Sequence, residues 1–211
     1  HPHSVTAFFE AAATRGMRTV AGKTCMDRNA PDALRDTAQT AYDDSKMLIE
    51  QWHGRGRAQY AITPRFSPTS TPEQLSALGT LWQSFPDCLM QTHLSEQLPE
   101  IDWVRNLYPE ARDYLDTYEM HGLLGSRAVF GHAIHLEPRE IDRIAEAGAS
   151  LVHCPTSNTF IGSGLMNVEG LAKRGIPLGL ATDTGGGSSF SMLRTMAAAY
   201  EIAQLRGTAL H

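Results

Sequence analysis

Apolar and polar positions alternate between two periods along the chain. Val5, Phe8, Phe9 and Ala12 recur at helical spacing and Gly16 ends that helix. Met17 to Met26 reads as an extended segment. Leu34, Ala38, Ala41, Ser45, Leu48 and Trp52 line one face of a long helix beginning near Pro31, and residues 59–63 form the next strand. Thr71-Pro72-Glu73-Gln74 predicts a helix start, with a capping hydroxyl, proline at the first helical position and Gln74 closing a capping box. Leu75, Leu78, Trp82 and Phe85 are its buried stripe. Further strands are predicted over residues 89–92, 128–136, 150–154 and 176–182, and helices around Ile101, Val104 and Tyr108, then over 138–148, 167–175 and 191–206.

The strands are nearly continuous apolar runs, as in Ile176-Pro177-Leu178-Gly179-Leu180-Ala181, which predicts a parallel sheet covered by helices. Six strand–helix units with short loops mean an α/β fold. The expected architecture is a (β/α)8 TIM-type barrel, incomplete in this chain, with about strands three to eight and flanking helices. Eight strands normally take ~250 residues, so residues 1–211 are expected to be one barrel domain truncated at both ends. The runner-up is an open doubly wound sheet. Against it, no glycine-rich phosphate loop follows any strand, and Gly185-Gly186-Gly187 fits neither dinucleotide nor P-loop spacing.

Composition narrows the function. A net charge of −5 gives no reason to expect nucleic acid or an anionic membrane as partner. No apolar run is long enough to span a bilayer and no signal peptide is read. Cys25, Cys88 and Cys154 are odd in number and widely spaced, so neither a disulfide framework nor a zinc knuckle is expected, and the default location is cytoplasmic.

In a barrel, chemistry gathers at the C-terminal strand ends. Those ends carry Arg65 and Phe66, then His93 and Glu96, then His132, His153 and Asp183. Imidazole and carboxylate suit a catalytic zinc. Each has a structural alternative: a strand-end histidine can be an internal hydrogen-bonding residue, Asp183 can cap a turn, Glu96 can serve a helix start, and Arg65 can be a surface cation. Their coincidence on successive strand ends favours a site. Alternation along a regular strand puts His132 and His135 on opposite faces, so His132 is taken for the site and His135 for a supporting role. His153 stays open between site and core. His53, His121 and His211 are expected at the surface, Cys154 as a small core residue, and His1-Pro2-His3 as a loop that does not hold metal.

Thr-His-Leu-Ser-Glu at 92–96, Gly-His-Ala-Ile-His-Leu at 131–136, His-Cys-Pro-Thr-Ser-Asn at 153–158 and Ala-Thr-Asp-Thr-Gly-Gly-Gly at 181–187 resemble the amidohydrolase superfamily. Gly-Lys-Thr-Cys-Met-Asp-Arg-Asn at 22–29, Ile-Thr-Pro-Arg-Phe at 62–66 and Ser-Phe-Ser-Met-Leu at 189–193 narrow the resemblance to the branch that deaminates guanine. The resemblance implies one Zn2+ per subunit with His93 and Asp183 as ligands and an H-x-H upstream of this chain supplying the rest. It implies Glu96, His132 and Asp183 as catalytic residues, with Arg65, Phe66, His93 and Glu96 binding substrate. Guanine would be deaminated hydrolytically to xanthine and ammonia by a zinc-activated water, in a homodimer. Two alternatives stand beside it: another aminohydrolase of the superfamily acting on a purine-like, pterin or triazine ring, and a degenerate non-catalytic barrel scaffold.

Overall fold

The computed structural model describes residues 1–207, so His211 lies outside the described residues. The chain divides into two compact units, one of His1–Thr92 with Thr117–Leu123, the other of His93–Asp116 with the residues from Leu124 onward.

The first unit opens with helix α1 (Pro2–Thr14), capped by the His1 side chain. Pro2 and His3 thus form the first helical turn, not a loop. Strands β1 (Thr19–Ala21) and β2 (Thr24–Cys25) follow, then α2 (Ala38–Trp52), β3 (Ala58–Pro64), α3 (Pro72–Ser84) and the start of β4 (Leu89–Leu94). β1 and β2 both pair in parallel with β3, and β3 pairs in parallel with β4. The expected single strand over 17–26 is two strands. A Cβ on Gly22 would lie 1.8 Å from the Ala61 carbonyl oxygen, so the backbones meet too closely for a regular ladder. Lys23 then turns inward: its N–H donates to the Tyr60 hydroxyl and its ammonium to Asp36. The same Asp36 is bound to the Met26 backbone, which holds residues 31–36 out of the helix. Helix α2 therefore begins after Thr37, in a capping box with Thr40.

Helix α3 starts as predicted, but its box is only half made. Thr71 Oγ1 accepts from Gln74 N–H, while the Thr71 N–H goes to Asp27. Leu48, Ile62, Leu75, Leu78 and Leu81 are fully buried in this unit and Phe9 stacks on Trp52 at 5.4 Å. Each such Leu stabilises the fold by roughly 1.5–3 kcal/mol. His53 is not a surface residue. Its Nδ1 accepts from Tyr60 N–H and its Nε2 meets Asp87 at 3.0 Å. His121 is half-buried against Ser76.

The second unit takes the end of β4, α4 (Leu98–Leu107), β5 (Ala128–His132), α6 (Pro138–Ala147), β6 (Ser150–His153), α7 (Pro155–Phe160), α8 (Val168–Lys173), β7 (Leu178–Leu180) and α9 (Met192–Leu205). Short helix α5 (Asp116–Glu119) runs across the division between units. β5, β6 and β7 pair in parallel, so their C-terminal ends share one rim. Gly148, left-handed at φ 67°, ends α6 and returns the chain to β6. Phe130, Ile144 and Leu151 are fully buried. β7 departs from the expected two-sided burial: Gly179 is exposed and its neighbours half-buried, because this strand ends the sheet with β6 as its partner.

Candidate active site

Three strand ends of the second unit, those of β4, β5 and β7, leave the extended conformation through left-handed residues. Ser95, His132, Ala133 and Asp183 all have positive φ, between 47° and 67°. β5 therefore ends at His132, earlier than predicted. Backbone curvature, not strand alternation, separates His132 from His135. The His135 Nε2–H donates to the Ser163 carbonyl at 2.8 Å, which makes His135 a loop anchor.

His93, His132 and Asp183 converge, each offering one ligand atom within 4.8 Å of the others. The two imidazoles stack at 5.2 Å between centroids, and His132 Nε2 lies 4.0 Å from Asp183 Oδ2. Glu96 is beside them: its Oε1 is 3.5 Å from His132 Nδ1 and accepts from Ser163 Oγ at 3.3 Å. His132 Nδ1 is closer still to Asn158 Oδ1, at 2.9 Å. Burial pulls the His132 pKa down, but Cys154, Asn158 and Glu96 outweigh it and push it up to about 9.

Asp183 is held by its own loop. Gly186 and Gly187 N–H both donate to its carbonyl. A Cβ on Gly187 would fall 1.9 Å from the Thr182 carbonyl oxygen, and one on Gly186 would fall 2.6 Å from Ser157 Oγ. The glycine run thus serves close approach around a carboxylate.

His153 is buried at the β6 tip, and neither ring nitrogen has a hydrogen-bond partner. Burial first, and then His132, lower its pKa to about 4, so it is neutral. Cys154 is buried as expected, and also lies against His132. Sequence reasoning missed Asn158 and Ser163. Pro155 at the first turn of α7 was the available signal, since it starts the helix that presents Asn158.

Arg65 and Phe66 belong to the first unit. Arg65 is exposed, and its guanidinium carbon lies 4.5 Å over the Phe66 ring. It lines a cleft of about 730 Å3 with Lys23, Met26 and Asp36. The segment is clamped through its backbone. Arg65 N–H donates to Cys25, the Arg65 carbonyl accepts from Thr92 Oγ1, and Ser67 N–H donates to the Tyr118 hydroxyl. Asp27 and Asn29 tie the preceding loop to Thr71 and Pro68.

Parallel strands whose tips carry imidazole and carboxylate define the class of TIM-like α/β barrels with chemistry at the C-terminal strand ends. The amidohydrolase family profile matches residues 1–208. The chain is 50% identical over 207 residues to the guanine deaminase of Escherichia coli K12, covering 98% of this chain and 47% of that protein. Among solved structures, E. coli guanine deaminase superposes with a TM-score of 0.98, covering 100% of this chain and 49% of that one. Guanine deaminase from C. acetobutylicum, with bound guanine in the active site, gives 0.94 at 32% identity, covering 98% and 49%. The chain belongs to the amidohydrolase family. Its fold is the expected incomplete TIM-like barrel, and it spans about half the length of the relatives it matches. Among the described residues, no helix is long and apolar enough to cross a membrane.

Proposed function

We propose that this chain carries the catalytic strand tips of a guanine-deaminating hydrolase. The observation that supports this best is the convergence of His93, His132 and Asp183 beside Glu96. Half-identity to E. coli guanine deaminase, and the guanine seen in the C. acetobutylicum protein, favour the substrate.

Two imidazole nitrogens and a carboxylate oxygen fit zinc in donor chemistry. His93 and Asp183 would hold the ion. When bound, it lowers the pKa of water and stabilises negative charge.

The remaining work falls to side chains. Asp183 accepts a hydrogen bond from the attacking water. His132 Nε2 orients that water, and its partners on the other ring nitrogen hold the ring still. Glu96 takes a proton from the water, passes it to purine N3, and later delivers a proton to the departing amine. Water oxygen bonds to C2, the C2–N bond breaks, and guanine plus water becomes xanthine plus ammonia. Arg65 is a fixed fork of donors suited to the O6 carbonyl edge, with Phe66 as an apolar wall. A homodimer, and a reducing compartment consistent with three buried free cysteines, complete the proposal.

The test is ammonia release by the purified complete protein from guanine, adenine, adenosine, a pterin and a triazine. Guanine is expected to give the highest kcat/KM. Preference for another ring overturns the reading.

A further inference from the structure

His132 Nδ1 has two acceptors in reach. Asn158 Oδ1 is at 2.9 Å and Glu96 Oε1 at 3.5 Å. An amide oxygen and a carboxylate oxygen both ask for a proton, so Nδ1 carries one, while Nε2 faces Asp183. The shorter contact belongs to the neutral partner. A carboxylate is the stronger acceptor for an imidazole N–H, so geometry, not intrinsic affinity, decides which one receives the proton.

That geometry is built in. Asn158 is fully buried on α7, a helix started by Pro155 directly after the β6 tip. Its N–H is tied to the Cys154 carbonyl and its own carbonyl accepts from Ser163 N–H at 2.8 Å. Ser163 in turn donates its hydroxyl to Glu96. One short segment therefore sets both the Nδ1 acceptor and the position of the competing carboxylate. Glu96, left at 3.5 Å, keeps lone pairs for another donor.

We propose that Asn158 is a positioning residue: it takes the His132 Nδ1–H on its amide oxygen and so keeps the Glu96 carboxylate free to carry protons for the substrate. This rests on the reading of Glu96 as proton carrier given above. Without Asn158, the Nδ1–H turns to Glu96, and the resulting pair immobilises both residues. The loss is therefore transmitted through Glu96, which sets it apart from a simple packing defect.

The experiment is a double-mutant cycle on the complete, metal-loaded protein, with Asn158→Leu, Glu96→Gln and the combination, joined to 15N–1H spectra of 15N-histidine-labelled samples. The His132 signal is assigned by its loss in His132→Gln. In the parent protein Nδ1 is expected to carry a slowly exchanging proton. In Asn158→Leu that proton resonance is expected to move downfield as a carboxylate replaces the amide. Turnover is expected to fall about 10–100-fold, as for partners of site histidines in general, with KM nearly unchanged. In the Glu96→Gln background the same substitution is expected to cost little more. Asn158→Asp, which keeps an acceptor oxygen in place, is expected to recover part of the loss. A bare Nδ1 in the parent protein, or equal losses in the two backgrounds, overturns the assignment. If Asn158→Leu does not fold, Asn158→Ser enters the same cycle. The spectra are independent of substrate: a protein with the expected Nδ1–H behaviour that releases no ammonia from guanine overturns the functional reading alone.

Discussion

His132 Nε2 faces Asp183 Oδ2 across 4.0 Å. That is too long for a direct hydrogen bond. His93 stacks on His132 and completes the group of three possible ligands. The two histidines then differ in role, and metal analysis separates them. Asp183→Ala and His93→Ala are expected to lower metal affinity by more than about tenfold. His132→Ala is expected to keep its metal and lose turnover. Plasma mass spectrometry of the dialysed complete protein reads this directly. Full metal content in Asp183→Ala would remove the assignment.

Glu96→Gln preserves shape and removes the ability to accept and return a proton. Turnover is expected to fall about 10²–10⁴-fold, with metal content and fold unchanged. Steady-state ammonia release, together with a melting curve, checks both halves. Unchanged turnover would leave Glu96 as a ligand of Ser163 and nothing more.

Arg65 is exposed over Phe66, while its backbone is fixed on both sides. Arg65→Ala is expected to leave metal content and melting temperature alone, because the clamps are made by the backbone. Preference for guanine over adenine is expected to shrink, since a site that hydrogen-bonds a specific edge can discriminate by about 10⁴-fold. Competition assays with the two purines measure the ratio. An unchanged ratio would place selection elsewhere.

Glu140 is almost fully buried on α6 and accepts from Leu115 N–H and Glu137 N–H. Burial dominates and raises its pKa from 4.5 to about 7. The native state therefore holds this proton more tightly than the unfolded chain does. Stability is expected to fall as pH rises from about 4.5 to about 7, by on the order of a few kcal/mol from this group. Glu140→Gln should flatten that part of the curve. Melting temperatures of both proteins across the window decide it, and a constant difference between them would sink the prediction.

Much of this site was legible because strand ends announce themselves. An apolar run followed by His93, His132 or Asp183 fixes both the element and the direction in which the chain emerges from the sheet. Boundaries were less legible where one side chain crosses to a distant backbone. The break at Gly22–Lys23 depends on Ala61 and Tyr60, and the late start of α2 depends on Asp36 reaching back to Lys23 and Met26. Asn158 stood at the end of the 153–158 run, in the helix that Pro155 starts, but its role was hidden for the same reason: its partner is 26 residues away. His53 shows the reverse error. Its neighbours Gly54 and Arg55 suggest surface, while Tyr60 and Asp87 hold it in place.

The left-handed backbone at Ser95, His132, Ala133 and Asp183 also limits how this rim can be re-engineered. Branched residues such as valine, isoleucine or threonine are poorly tolerated at such dihedrals whatever their chemistry. A library seeking new substrate scope would waste most of its members there. Diversity is better spent on positions of ordinary conformation such as Phe66, where φ is −172°, leaving the four left-handed residues as the fixed frame on which new specificity is mounted.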